Sequence, residues 1–560
     1  MASILRSIRQ YPSAWFYCCW FLVNLVQAAG TELLHDEAYY WVYSNYPDWG
    51  YFDHPPMIAI LIKAGYAIFH SELGVRLFVT IMNTGTIYLV HKMLLRENDR
   101  LFYAIVLSMG VLQIGGILAV PDIPLAFFTA LFFWQYKRFL IKADMLQGIL
   151  LGIVMALMLY SKYHGILIIF FTLISNRKLV FQWPAWLAAI VGMALFSPHL
   201  WWQYTHDFPS VQYHLKERNA PGYRLGFSLE YIGGQILLAG PLIGWLLLYA
   251  AGKFRTPDLF SRALKWSMAG FLGFFLLSTL KGRVEANWTV PALIPMIILS
   301  HAWLTDSVNY TRWIYRLLPV TLLIILVVRI YMLTDIPQLT SRFHDEMHNN
   351  RSWAAAIKAR SNGLPVVFMN SYQRPSKYWF YTGDTCFGLN NTGYRRNNYN
   401  FWPIEKEFQG KEVIVVDNLM ANLPGYISIP TSRGLTAGWI SKNFESHAAL
   451  RFQPERSSLV INKGSLTPFP LTIFPDSLGI SLLLQAGSPV YAVIDVFSGD
   501  SLITRIKPQF SKSEDKAWLC AYPNNLTIAP GEYRAKLGVS SSVPGQYSLN
   551  SASLSLRVIQ

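Results

Sequence analysis

Residues 33–56 read LLHDEAYYWVYSNYPDWGYFDHPP, which places Asp36, Glu37, Asp48 and Asp53 in one short, aromatic-rich stretch. A paired acid such as Asp36-Glu37 suits general-base chemistry, in which a carboxylate takes the proton from an attacking hydroxyl. The same pair would equally serve as the opening of a helix, where Asp is favoured. The stretch ends in Tyr51-Phe52-Asp53-His54-Pro55-Pro56, where two prolines stiffen the backbone. Asp53 with His54 could hold a divalent cation or orient a phosphate, or could form only a rigid polar turn.

Further polar clusters recur downstream: Val120-Pro121-Asp122-Ile123-Pro124, then Ser161-Lys162-Tyr163-His164-Gly165. The Lys162 ammonium suits a phosphate oxygen, although a lysine at an apolar boundary commonly snorkels to the interface. Residues 201–218 carry Trp201, Trp202, Tyr204, His206, Asp207, Tyr213, His214, Lys216 and Arg218. Aromatic and basic residues together suit a sugar ring and a lipid phosphate, but Trp and Tyr also belt any membrane interface. Residues 281–288, KGRVEANW, set Lys281, Arg283, Glu285 and Asn287 within eight positions. Two such cations would neutralise a departing phosphate or pyrophosphate.

These clusters need elements to hold them, and the composition says what those are. Of 560 residues 53% are hydrophobic, 15% aromatic and 14% charged, against about 25% charged in an ordinary soluble chain. The deficit lies in the first 335 residues, so a polytopic membrane domain is expected there. Segments at 13–30, 74–94, 101–120, 123–140, 145–160, 164–176, 184–200, 228–251, 266–280, 289–304 and 313–334 read as about eleven spans, several of them shorter than the ~20 residues a bilayer needs. Residues 57–70, which follow Pro55-Pro56 and contain Lys63, read as an interfacial helix.

Charge supports this arrangement. The connections at 91–100, 137–144, 176–182 and 252–265 are rich in Lys and Arg, which marks the cytoplasmic side. The N-terminus is then inside, the polar clusters share the outer side, and residues beyond about 334 are outside too. A net charge of +15 reflects this topology better than a nucleic-acid surface, since no basic low-complexity arm is present. Arg6 and Arg9 before the first apolar run read as part of a retained anchor, because further apolar segments follow.

The remainder divides by pattern. Residues 335–425 mix helix-like RSWAAAIKARS with strand-like PVVFMN and KEVIVVD, an extracytoplasmic α/β region. Residues 426–560 alternate in short strands (ISLLLQA, YAVIDVFS, YRAKLGVS, LSLRVI), as in a β-sandwich-like domain. Neither region shows a nucleotide loop or nucleophile elbow. Cys18 and Cys19 fall in the first span; Cys386 and Cys520 lie in the soluble part, where spacing does not decide a disulfide.

The segments HDEAYYW, YFDHPPMIAILIKAG, GVRLFV, PDIPLAFF, SKYHGILI, SPHLWWQYTHDF and KGRVEANW resemble the motifs of type C glycosyltransferases of the protein O-mannosyltransferase superfamily. Within it they are most similar to the bacterial branch that includes the lipid A aminoarabinose transferase. The resemblance covers residues 10–300 and fades in the soluble part. It implies a bacterial inner-membrane enzyme that moves a sugar, with inversion, from a polyprenyl phosphate to a lipid, glycan or protein acceptor on the extracytoplasmic face. It carries the catalytic acid onto Asp36, with Glu37 beside it. Lys162, Arg283, Lys281, His54 and Arg76 become the expected contacts of the donor phosphate, and Tyr39, Tyr40, Tyr163, Glu285 and Asn287 the expected substrate contacts. Where that branch has an acid-Lys-Pro sequence, this chain has Asp53-His54-Pro55. By the same resemblance Asp53 and His214 are the expected ligands of a divalent metal, the one cofactor implied.

A lipid-linked-sugar transporter or flippase is the competing expectation. It calls for ionisable residues near mid-membrane and for internal symmetry, whereas the ionisable residues here stand mainly at span ends and no inverted repeat is visible. A receptor with a membrane anchor would not need so many spans.

Overall fold

A computed structural model describes residues 10–213, 222–336, 346–462, 465–474, 489–512, 518–522 and 528–559. The chain separates into two units, residues 1–348 and 349–560.

The first unit is helical: α1 (Pro12–Gly30), α2 (His35–Asn45), α3 (Met57–Tyr66), α4 (Glu72–Lys92), α5 (Asp99–Ser108), α6 (Gly110–Gln113), α7 (Asp122–Ile141), α8 (Met145–Ser161), α9 (Gly165–Ser175), α10 (Trp183–Thr205), α11 (Pro209–Gln212), α12 (Leu225–Ala239), α13 (Gly244–Lys253), α14 (Leu259–Ser278), α15 (Val290–Thr305) and α16 (Val308–Leu333). Apolar side chains from α5, α7, α8, α13, α14 and α15 share one core, with Phe102, Phe133, Phe139, Leu247, Phe271 and Ile298 fully buried in it. Many exposed side chains of α10 and α16 are apolar, among them Trp186, Ile190, Leu323 and Val327. A helix hydrophobic on its exposed face is in contact with lipid, so the unit is embedded in a membrane.

Every apolar segment expected from sequence is helical, but not every one is a straight span. Among the described residues four helices are long and apolar enough to cross by themselves: α4, α10, the segment Ala286–Thr305 and α16. Two bent pairs bring this to six if each crosses as one. The segment expected at 101–120 breaks by 77° after Ser108, where Met109 takes an extended conformation. The segment expected at 228–251 turns by 90° between α12 and α13. Gly240 makes that corner with φ +146°, and a Cβ there would meet the Ser108 carbonyl at 3.0 Å. At 11 residues, α9 rises only about 16 Å at ~1.5 Å per residue. The interfacial segment is the ten-residue α3, which packs on α4 so closely that a Cβ on Gly65 would lie 2.1 Å from the Gly74 carbonyl.

In the second unit α17 (Asn350–Ser361) and α18 (Gln373–Thr382) accompany a five-stranded sheet of order β2-β1-β3-β5-β4. Here β1 (Val366–Met369) pairs in parallel with β2 (Phe387–Leu389) and β3 (Val413–Val416); β4 (Ile427–Thr431) and β5 (Gly434–Ser441) form an antiparallel hairpin on β3. The hairpin lies beyond residue 425, so the sheet extends past the partition drawn from sequence. Ten further strands, β6 (Arg451–Pro454) to β15 (Leu554–Ile559), are joined in one hydrogen-bonded sheet. Ile506, from the strand at one end of its order, shares a core with Cys520, from the strand next to the other end. The sheet therefore curls around its own interior. The expected strand ISLLLQA lies outside the described residues.

Candidate functional site

The first loop folds on itself before anything else reaches it. Helix α2 opens at His35, with Asp36 and Glu37 in its first turn. Carboxylates are stabilised there by the positive end of the helix dipole. Glu37 is fully buried. Its Oε1 accepts from Arg76 Nε at 2.7 Å and from the Ala119 amide at 2.8 Å; its Oε2 accepts from Arg76 Nη2 at 2.5 Å and from the Leu34 amide at 2.9 Å. All four acceptor directions of a carboxylate are occupied. Arg76 is equally complete: its Nη1 donates to the Ala28 and Thr31 carbonyls and its second Nη2 hydrogen to the Glu32 carbonyl.

This corrects two expectations. Glu37 has no lone pair left for a substrate proton, and Arg76 has no N–H left for a phosphate. Together they join the end of α1, the start of α2 and the loop at Ala119. Asp36, the preceding residue, is half-buried in the same first turn. Glu346 also reaches the helix start, where its Oε2 accepts from the His35 amide at 3.2 Å; no local pattern links residues so far apart.

Three positions after Ala119, Asp122 opens α7. Its Oδ1 accepts from Lys162 Nζ at 2.8 Å and its Oδ2 from Asn287 Nδ2 at 3.0 Å. The Lys162 and Asp122 side chains are 6% and 4% exposed, a desolvated ion pair. Lys162, expected on a phosphate, thus has a protein partner, while an ammonium retains two further donors. Trp288 lies against His164, with ring centroids 5.3 Å apart, so the 161–165 and 281–288 clusters adjoin. Asp122 is the residue that sequence reading left without a role. Its signal was its place between two prolines at the mouth of a span.

The other expected residues divide. Arg283 is well exposed and lies 3.4 Å from Glu230 of α12, both largely in solvent. Lys281 is exposed and Glu285 half-buried. Tyr39 and Tyr40 are buried, their rings packed against Tyr43, which in turn stacks on Tyr51 at 4.0 Å. They form the core of the loop rather than a substrate surface. Burial, helped by the charges of Tyr39 and Asp53, pushes the Tyr43 phenol well above its usual range. The Tyr163 hydroxyl lies 2.9 Å from His199 Nε2 and accepts from Gln203 Nε2 at 2.8 Å, so it too is engaged by protein.

The end of α10 and the short α11 after it clamp the loop. His199 Nδ1 donates to the Trp49 carbonyl at 2.7 Å, Trp202 Nε1 to Asp48 Oδ2 at 2.8 Å, and Ser210 Oγ to the Phe52 carbonyl at 2.8 Å. Asp207 and Phe208, with φ of 61° and 50°, turn the chain back towards it. Such left-handed positions in non-glycine residues persist only where the surroundings hold them.

The expected metal pair is not assembled by the described residues. His214 lies outside them, Asp53 is half-buried, and the His54 ring meets Tyr40 edge-on at 5.6 Å. No group of three His, Cys, Asp or Glu side chains suited to a metal occurs among the described residues.

The fold and site together are those of a membrane-embedded helical protein whose first long loop presents a carboxylate at a helix start. Residues 53–202 match the family model described as dolichyl-phosphate-mannose-protein mannosyltransferase. The chain is 24% identical over 307 residues to the lipid A galacturonosyltransferase RgtD of Rhizobium johnstonii, covering 52% of this chain and 63% of that protein. Two crystal structures of ArnT from Cupriavidus metallidurans, one bound to undecaprenyl phosphate and one in the apo state, each superpose with a TM-score of 0.54 at 13% identity. Each likeness covers 76% of this chain and 97% of that one, and shows a shared fold. The chain thus resembles the type C glycosyltransferases of the protein O-mannosyltransferase superfamily, in the ArnT-like form.

Proposed function

We propose that this protein transfers a sugar from a polyprenyl-phosphate donor to a hydroxyl or phosphate of a cell-envelope acceptor, lipid A being the class that its relatives suggest. Asp36 acts as the general base, and attack at the anomeric carbon proceeds with inversion. The observation that carries the reading is the saturated Glu37–Arg76 junction. It immobilises the start of α2, so Asp36 is presented by a rigid support, which is what orientation in catalysis requires.

Departure of the polyprenyl phosphate leaves negative charge to be stabilised. Lys162, fixed by Asp122, is placed to meet it, with Arg283 and Lys281 contributing from the adjoining segment. Asn287 shares the Asp122 carboxylate and so couples that segment to Lys162. The reading includes about eleven crossings of a bacterial inner membrane, with the N-terminus cytoplasmic and the second unit on the far side.

The test is turnover by purified protein in vesicles supplied with radiolabelled polyprenyl-phosphate sugars and lipid A. Release of polyprenyl phosphate together with labelled acceptor is expected. Movement of intact donor across the vesicle without acceptor labelling would replace the transferase reading with a transporter.

A further inference from the structure

Among the described residues of the helical unit, one buried cation has no counter-charge. Arg329 stands near the end of α16 and is 7% exposed. Its Nη2 donates to Asn24 Oδ1 at 2.6 Å and to the Gln113 carbonyl at 2.5 Å, both neutral acceptors. Among the described residues no carboxylate pairs with it, and its Nε and Nη1 are buried without an acceptor. Asn24 Nδ2 is in the same condition, as is Trp20 Nε1, one turn away on the same face of α1. These orphans are all donors.

Burying a charge is tolerated when it is paired, and burying a donor when it finds an acceptor. A water molecule would bring hydrogens that need acceptors of their own. An oxyanion supplies acceptors only, and neutralises the guanidinium as well. The backbone is broken at this point too, since Gln113 closes the short α6 that follows the 77° bend. Irregular backbone at membrane depth occurs where it faces protein or lines a cavity. A chain of contacts ties the position to the first loop: Gln27 Nε2 donates to the Arg329 carbonyl at 3.3 Å and to Thr31 Oγ1 at 3.0 Å, and the Thr31 carbonyl accepts from Arg76 at 2.6 Å.

We propose that Arg329, with Asn24 and Trp20, forms an anion-binding site within the helical unit that takes a phosphate monoester. The site is separate from Lys162, whose charge Asp122 meets. It does not depend on the transferase reading, because no described carboxylate pairs with the guanidinium whether or not a sugar is transferred. Bound there, a phosphate would fix α1 against α16 and, through Gln27 and Thr31, brace the support of Asp36.

The experiment uses full-length protein carrying Lys162→Met together with Asp122→Leu, which removes the proposed donor contact without stranding a buried carboxylate, purified in detergent and stripped of lipid. Undecaprenyl phosphate, undecaprenol and inorganic phosphate are each titrated while melting temperature is recorded. Undecaprenyl phosphate should raise the melting temperature and undecaprenol should not, and adding R329Q should weaken the affinity by about tenfold or more. A rise with inorganic phosphate alone, also lost in R329Q, keeps the site and assigns its anion to the aqueous phase. Should R329Q fail to fold, the Trp20→Phe, Asn24→Leu pair is read in its place. Unchanged affinity in whichever of these variants folds, or no response of the D122L/K162M protein to either phosphate, overturns the proposal.

Discussion

Glu37 and Arg76, 39 positions apart, exhaust each other's polar capacity: all five guanidinium N–H groups and all four carboxylate acceptor directions are taken by one another and by backbone groups at residues 28, 31, 32, 34 and 119. A junction so complete separates stability from chemistry in adjacent residues. Removing one partner strands the other in the interior, at about 3–5 kcal/mol. Glu37→Gln and Arg76→Gln should therefore lower the melting temperature markedly. Asp36→Asn should leave it close to wild type while turnover falls by about 10²–10⁴-fold, the usual worth of a general base. Melting curves and transfer assays on the three variants decide this; an active D36N would remove the base from the mechanism.

The Lys162–Asp122 pair gives a second prediction. Asp122→Leu leaves a buried ammonium unpaired, and Lys162→Met leaves a buried carboxylate with only Asn287. Each single change should destabilise more than the double, because replacing both charges removes the stranded partner. A double-mutant cycle should return a coupling of about 1–3 kcal/mol. Additive losses would show that the pair is not desolvated.

In the second unit Glu405 gathers the 446–449 turn, accepting from Ser446 Oγ and from the Ala448 and Ala449 amides at 2.5–2.8 Å. Inside that turn, burial holds the His447 imidazole below its usual value of 6.5, against the opposing pull of Glu405 and Glu445. A depressed histidine binds its proton less well folded than unfolded. Its contribution is therefore complete above pH 6.5 and is lost as pH falls below that value. His447→Gln should reduce the acid sensitivity of unfolding below pH 6.5 while leaving stability at pH 8 nearly unchanged, as read by urea melts across that range.

Cys386 and Cys520 are free, and each is buried in its own core. Burial pushes the Cys520 thiol up to about 12 and the Cys386 thiol well above its usual value. Only the thiolate reacts, so a soluble maleimide at pH 7.5 should leave both unmodified in native protein and label both after denaturation. Labelling of Cys520 in the native state would contradict its place in the curled sheet.

Local pattern was enough for the helices, because an apolar run beside a bilayer has few alternatives: backbone groups in lipid must bond within their own segment. It was also enough to single out Asp36-Glu37 as an acid pair and to group the later polar clusters with it. What local pattern could not do was divide the labour among charged residues. Asp36 and Glu37 are indistinguishable by type and spacing, and Arg76 and Lys162 both read as cations for a phosphate. Their roles depend on which partner the fold carries to each one: Ala119 and Arg76 to Glu37, Asp122 to Lys162, and neutral Asn24 and Gln113 to Arg329. The bends at Met109 and Gly240 were likewise decided by packing, the second by the close approach of Ser108. Apolar periodicity is a property of neighbours along the chain, whereas the pairing of a buried charge belongs to neighbours in space.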